Sequence, residues 1–239
     1  MRLFQLLPSR SARSKQAAES SFWIGELARY VSWYNGELPE LYGVPSPSPK
    51  QKVSAPTLKD SALLTWIELH QKPKYLADLK LGSTSLSGKV LDVGAGPLPS
   101  GLAFEGIELY CLDPIYADYL AAGYPLHYYP RTRFMNAPSE QIPAEDGFFD
   151  AVISVNAIDH VDDFHRTAQE LQRVLKPGGK LAMHVHYHRP TEAEPLELSD
   201  EIMQREYAWC KDLKKVDTAT TKKGSVADAG ELYVLWRNF

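Results

Sequence analysis

The sequence predicts an α/β fold, a doubly wound and mostly parallel sheet with helices added before it and an antiparallel hairpin closing it. Three observations lead there. Between about residues 88 and 187, short apolar, β-branched runs alternate with stretches of helical period, which is the pattern of a parallel sheet with crossover helices. The run Lys89-Val-Leu-Asp-Val93 breaks at once into Gly94 and Gly96, and the next run, Ile107–Leu112, ends in an acid, Asp113. After Pro190 the alternation stops, and Lys214–Thr221 and Glu231–Asn238 read as two strands joined by a Gly-containing loop.

Residues 15–35 read as an amphipathic helix, with Phe22, Leu27, Val31 and Trp33/Tyr34 at near-helical spacing. Val44–Pro56 is Pro-rich and extended, a linker or a strap across the surface. A second helix follows over 58–79, with Leu63, Leu64 and Ile67 on its apolar face. Residues 1–80 are thus expected to be a helical extension, serving as a lid, a cap or a homodimer contact, and 81–239 the sheet domain. In the latter, strands are expected at 88–93, 108–112, 150–155 and 180–187, and helices at about 99–105, 114–122 and 163–175. Right-handed crossovers would join them. A short third strand is expected within 125–136, around His127–Tyr129, and Leu198–Ala208 reads as helical.

The 239 residues suit one α/β domain with additions, and 44% hydrophobic content is ordinary for a folded core. A net charge of −4 and a pI near 6.0 speak against a nucleic-acid partner, which favours a basic face. No apolar run reaches membrane-spanning length. The first fifteen residues hold Arg2, Arg10, Arg13 and Lys15 and no acid, yet they lack the apolar core of a signal peptide, so a fraying start is expected. Two cysteines, Cys111 and Cys210, are too few for a disulfide framework and point to a reducing cytoplasm.

Chemistry concentrates at the glycine turn. Glycines let the backbone turn sharply and approach a ligand, and an acid ending the next strand, about 20 residues on, accepts ribose hydroxyls. A dinucleotide turn needs a third glycine where Pro99 stands. Asp92, two residues before Gly94, would also repel a pyrophosphate. It suits a ligand carrying an ammonium group. S-adenosyl-L-methionine has such a group and a positive sulfonium, and no phosphate. A nicotinamide oxidoreductase is the disfavoured alternative.

With those residues in view, the chain resembles the class I S-adenosylmethionine-dependent methyltransferases over about residues 88–185. Val90-Leu-Asp-Val-Gly-Ala-Gly96 resembles the family's first motif and Leu112-Asp-Pro-Ile115 its second. Ser139-Glu-Gln-Ile-Pro143 with Gly147–Ile153 resembles the adenine-side segment and fourth strand. Asn156-Ala-Ile-Asp-His160 resembles the segment after that strand, and Arg173-Val-Leu-Lys-Pro-Gly-Gly179 the turn before the fifth. Leu98 departs from a third glycine carried by many members, and Pro138 from an acid before the adenine-side Glu. The resemblance implies a seven-stranded Rossmann-like sheet. The Gly-Pro-Leu variant with Asn-Ala-Ile-Asp-His also resembles a subgroup associated with polysaccharide biosynthesis.

On this reading Asp92 organises the glycine turn and the methionine end of the cofactor, with the backbone of Gly94, Ala95 and Gly96 against it. Asp113 takes the ribose, or caps the turn that Pro114 begins, or both. Ile115 packs on adenine, Ser139 and Glu140 frame its edge, and Asn156 ends the fourth strand at the sheet's ligand edge. His160 and His186 are the candidate catalytic bases, since histidine titrates near neutrality. Asp159 is ambiguous, and His160 could equally stabilise its turn. His184, His186 and His188 alternate on one strand face. Such a set can bind a divalent metal, with Asp162 or Asp163 adding a carboxylate, but no spacing matches a known metal motif, and polar packing is the reading taken. Tyr116, Tyr119, Tyr124, Tyr128 and Tyr129 read as helix and loop packing that could also line a sugar- or aromatic-binding surface; Lys214/Lys215 and Lys222/Lys223 read as solvated hairpin charges. The expected function is methyl transfer to a small-molecule or sugar acceptor at oxygen. A cofactor-binding regulator without transfer is the alternative.

Overall fold

The structure is a computed structural model that describes residues 10–47, 57–129, 131–191, 194–220 and 232–239. Its sheet has seven strands: β1 Gly88–Val93, β2 Ile107–Leu112, β3 Thr132–Met135, β4 Phe149–Val155, β5 Leu175–Tyr187, β6 Lys214–Thr220 and β7 Leu232–Arg237. Their order is β3-β2-β1-β4-β5-β7-β6. The first five run parallel, and β7 pairs antiparallel with both β5 and β6. Strand order therefore reverses beside β1, with β2 on one side and β4 on the other. That switch point opens a crevice at the carboxyl ends of β1 and β4, where ligands bind in open α/β sheets.

The helices are α1 Arg10–Asn35, α2 Leu58–Trp66, α3 Lys72–Leu79, α4 Tyr116–Ala122, α5 Phe164–Val174 and α6 Asp200–Glu206. A π-helical turn, Ile67–Gln71, joins α2 to α3 without a break. The central strand is apolar on both faces, as a parallel strand covered on both sides must be. One face packs Val90, Cys111 and Ile153 against Leu27, Tyr30 and Trp33 of α1 and Leu63 and Trp66 of α2. The other packs Leu91, Leu112 and Val152 against Phe164 and Leu171 of α5 and Met203 of α6. The amino-terminal helices thus form one of the two helical layers.

Several expected elements shift, each for a local reason. On α1 the inward face is Leu27, Tyr30, Trp33 and Tyr34, a run of threes and fours, while Phe22 is 55% exposed. The helix expected over 99–105 is a 3₁₀ turn, Ser100–Ala103. At its centre a Cβ on Gly101 would lie 2.1 Å from Leu109 Cδ1, so the backbone packs directly on β2. The third strand starts at Thr132; His127 and Tyr128 instead lie in a 3₁₀ turn begun by Pro125, whose carbonyl accepts from Tyr128 N at 2.9 Å. α5 begins where Asp163 accepts from Arg166 N at 2.9 Å. Residues 1–9, most of the Pro-rich stretch at 48–56, and Lys222/Lys223 lie outside the described residues. No described helix is long and apolar enough to cross a membrane.

Arg173 ends α5 and stitches a loop to it. Its guanidinium donates to Glu170 at 2.7 and 2.9 Å, to the carbonyls of Ile142 and Ala144 at 2.9 and 2.7 Å, and to Asp146 at 3.0 Å. Ile142 N also donates to Glu170. The loop bearing Ser139 and Glu140 is thereby fixed beside the sheet edge.

Candidate active site

The turn after β1 is built by backbone that only glycine adopts readily. Gly94 has φ +64° and Gly96 φ +58°. Gly94 N and Ala95 N both donate to Leu112 O, at 2.9 and 3.2 Å, which ties the turn to the end of β2. A Cβ on Gly94 would lie 2.3 Å from Ala157 Cβ. Downstream, the carbonyls of Pro97 and Leu98 accept from the hydroxyls of Tyr129 and Tyr75, at 2.8 and 3.0 Å.

The two acids sit under and beside this turn. Asp92 is buried and accepts from Ser100 Oγ at 2.9 Å and Gly101 N at 2.8 Å, so it holds the 3₁₀ turn against the strand end. Asp113 accepts from Gly96 N and Ile115 N, both at 3.0 Å. One carboxylate therefore bridges the glycine turn and the start of the next crossover. Each oxygen keeps further acceptor capacity. Burial pushes the Asp92 carboxyl up to about 7 and the Asp113 carboxyl up to about 6, against the pull of these same hydrogen bonds.

A cavity of about 800 Å³ opens over the turn. Asp92, Gly94, Ala95, Gly96, Asp113, Pro114, Ile115, Ser139, Glu140, Asn156 and His160 all line it; His186 does not. Glu140 reaches across to accept from Asp162 N at 2.7 Å and Asp163 N at 3.0 Å, so it pins the loop after β4. Ser139 Oγ lies 3.1 Å from Thr167 Oγ1 on α5. Asn156 has φ +50°, its N–H donates to His184 O, and its Oδ1 lies 2.9 Å from His184 Nδ1.

The opposite wall comes from the amino-terminal helices. α1 supplies Glu19, Trp23, Glu26 and Tyr30, and the α2–α3 segment supplies Trp66, His70, Lys74 and Tyr75. Lys15 closes the mouth by pairing with Asp162. Trp66 and His70 stack with ring centroids 4.3 Å apart, and Tyr42 lies 6.0 Å from Trp66 and 6.4 Å from His70. His70 Nδ1 is buried with no hydrogen-bond partner among the described residues, and burial lowers this imidazole. None of these wall residues belongs to a local motif; only a long helical period before the sheet signalled them.

The remaining histidines cluster beside the cavity. Burial lowers His160, but Glu194, Asp159 and Glu19 outweigh it and the imidazole is raised overall. Its Nε2 lies 3.4 Å from Glu194 and 3.8 Å from Asp159. His188 Nε2 lies 3.3 Å from Asp159, which raises that imidazole to about 9. His186 stacks between Tyr233, at 4.4 Å, and His188, at 4.6 Å. His184 faces Asn156 and Tyr233, apart from that group. Asp162 pairs with Lys15 and Asp163 caps α5, so neither reaches the strand histidines.

Residues 91–183 match the methyltransferase domain family. The chain is 34% identical over 139 residues to chloroplastic tocopherol O-methyltransferase of Arabidopsis thaliana, covering 51% of this chain and 39% of that one. It is 31% identical over 136 residues to a thiol S-methyltransferase of Homo sapiens, covering 52% and 53%. The matched stretch spans about half or less of these curated relatives. Among solved structures, the YcgJ protein of Bacillus subtilis superposes with a TM-score of 0.55 at 15% identity, over 70% of this chain and 97% of that one. An arsenic(III) S-adenosylmethionine methyltransferase of Chlamydomonas reinhardtii does so at 0.50 and 21%, over 66% and 64%. Those two likenesses show the fold.

The matched domain, residues 91–183, implies S-adenosylmethionine as the cofactor. The residues fit that group. The backbone of Gly94–Gly96 lines the cavity beside two acids, Asp92 and Asp113, which suit a ligand with cationic groups and ribose hydroxyls rather than phosphates.

Proposed function

We propose that the chain transfers the methyl group of S-adenosylmethionine to a hydroxyl of a small, ring-bearing acceptor of the sugar type, in the cytoplasm. The carrying observation is the continuity of the cavity. It runs from Asp113 and the glycine turn to a wall of Tyr30, Tyr42, Trp66 and His70. Flat aromatic faces beside a few polar groups suit a ring with hydroxyls. The subgroup resemblance points the same way.

In this reading Asp113 holds the ribose, Ile115 and the Ser139–Glu140 loop hold the adenine, and the backbone of Gly94–Gly96 holds the methionine end. When bound, the cofactor supplies an activated methyl group on a sulfonium, already a good leaving group. The chain's own task is alignment, and for a hydroxyl acceptor the removal of one proton. His160 is the poorer of the two cavity histidines for that task, because its carboxylate neighbours favour its protonated form. His70 is held neutral by burial, and its ring lines the cavity. We assign the proton to the His70 imidazole, while Glu26 and Lys74 orient the acceptor. His186, outside the cavity wall, takes no direct part.

Calorimetry with S-adenosylhomocysteine and NAD tests the cofactor assignment. Asp113→Ala is expected to weaken the adenosyl ligand by roughly 10- to 100-fold, since hydrogen bonds to a charged group contribute about 1.5–3 kcal/mol. Methyl transfer is then screened over nucleotide sugars, free sugars and phenols. His70→Gln should lower kcat by roughly 10²–10⁴-fold with cofactor affinity unchanged. Turnover on phenols alone refutes the sugar assignment, and an unchanged kcat refutes the base.

A further inference from the structure

A second concentration of ligating side chains lies past the carboxyl ends of β4 and β5. It draws on three separate segments: Asp159 in the 3₁₀ turn Ile158–His160, His186 with His188 at the end of β5, and Glu194 in the following loop. One nitrogen or oxygen from each of the four lies within 4.8 Å of every other.

Two details mark the cluster as more than a surface ion pair. Asp159 is fully buried, and its Oδ1 has no hydrogen-bond partner among the described residues. Leaving a buried carboxylate oxygen unsatisfied is costly unless something completes it. Its other oxygen, Oδ2, lies 3.3 Å from His188 Nε2. His188 Nδ1 lies 2.7 Å from Arg189 O, a carbonyl that can only accept, so Nδ1 carries a proton and donates. The remaining nitrogen, Nε2, is thereby aimed at the carboxylate. A ligating histidine is held in this way, with its far ring N–H anchored to a carbonyl so that the other nitrogen faces the ion.

We propose that Asp159, His186, His188 and Glu194 bind a divalent first-row transition metal of the zinc type. Two imidazoles and two carboxylates are a borderline donor set, which suits zinc, cobalt or iron(II), whereas magnesium and calcium favour all-oxygen shells. Metal–ligand distances of about 2.0–2.2 Å put the ligands of one tetrahedral ion about 3.3–3.6 Å apart, so side chains at the 4.8 Å limit close by roughly 1.2–1.5 Å on binding. The ion's double charge offsets the two carboxylates and replaces the proton that His188 Nε2 shares with Asp159. Glu194 also lines the large cavity, so the ion would sit in its wall.

The site stands on residues separate from the cofactor turn, and its test uses neither cofactor nor turnover. The chelator-treated full chain is titrated with zinc chloride and with magnesium chloride by calorimetry, and with cobalt chloride by visible absorption. One equivalent of zinc is expected, with a cobalt spectrum of four- or five-coordinate geometry and no comparable magnesium binding. His188→Gln should abolish binding. Glu194→Gln, in a partly exposed loop where folding is not at issue, should weaken it at least tenfold. His165→Gln, exposed on α5, should leave it intact. Absent zinc binding, zinc binding unchanged from the wild type in both cluster variants, or magnesium binding as tight as zinc would each overturn the proposal.

Discussion

Adding one methyl group at Gly94 tests the packing of the glycine turn most directly. In Gly94→Ala the new Cβ meets two separate penalties. The backbone is at φ +64°, where a non-glycine residue costs roughly 1–2 kcal/mol. The Cβ also lands 2.3 Å from Ala157 Cβ, well inside contact distance, and overpacking of that kind costs about 1–3 kcal/mol. The sum, roughly 2–5 kcal/mol, corresponds in a chain of this size to a drop in Tm of about 4–20 °C. Ala157→Gly removes the collision and leaves the backbone penalty, because the Ala157 Cα is 3.5 Å away, an ordinary contact. The double variant should therefore regain about 1–3 kcal/mol, leaving only the left-handed cost. Differential scanning calorimetry of the four proteins gives the cycle, and S-adenosylhomocysteine titration should follow it, with affinity lost in Gly94→Ala and partly restored in the double variant. Strictly additive effects, or an unchanged Tm in Gly94→Ala, would refute the assignment of this contact.

Other perturbations probe the acids and the loop clamp. Asp92 and Asp113 sit in the fold at about 7 and about 6, above the value near 3.8 of an exposed Asp, so their contribution to stability is complete below about pH 4 and is lost as pH rises through 6 to 7. The ligand-free Tm of the wild type should fall more steeply from pH 5 to pH 8 than that of Asp92→Asn, whose amide mimics the protonated carboxyl; equal slopes would contradict the burial argument. Arg173→Ala should cost about 1.5–3 kcal/mol in urea unfolding, because it removes the main partner of the Glu170 carboxylate, which keeps only Ile142 N and Arg166. Adding Glu170→Gln should recover part of that loss, and a loss below about 1 kcal/mol would class the pair with ordinary surface bridges.

The sheet was readable because each central strand is an apolar run ending at an acid or a glycine. β1, β2 and β4 fall within one residue of expectation. The cofactor edge was readable for a related reason. Asp92, Gly94, Gly96 and Asp113 are local in sequence and their order carries the geometry. The third strand was displaced because Tyr128 and Tyr129 have strand-like composition, whereas Pro125 locks a turn there and Tyr129 spends its hydroxyl on Pro97 O. The opposite wall of the cavity was invisible. His70 lies in a π-helical turn that no residue pattern announces, and Tyr42 reaches it from a separate ribbon, Glu40–Leu41 with Val44–Pro45. Likewise the alternating histidines suggested Asp162 or Asp163 as partners, but the chain brings Asp159 and Glu194 instead, since Asp162 and Asp163 are held by Lys15 and by α5. Long-range meetings of this kind depend on packing, which spacing does not encode.

Tyr30 and Trp66 look into the cavity, yet they are also 2% and 1% exposed members of the core that joins the amino-terminal helices to the sheet. The same rings that would select the acceptor also hold one face of the protein together. Altering substrate preference at either ring therefore draws on folding stability, and a directed-evolution campaign that begins from the natural chain would exhaust its tolerance within a few substitutions. Stabilising the opposite layer first, around α5 and α6, would widen the range of acceptor walls this scaffold can carry.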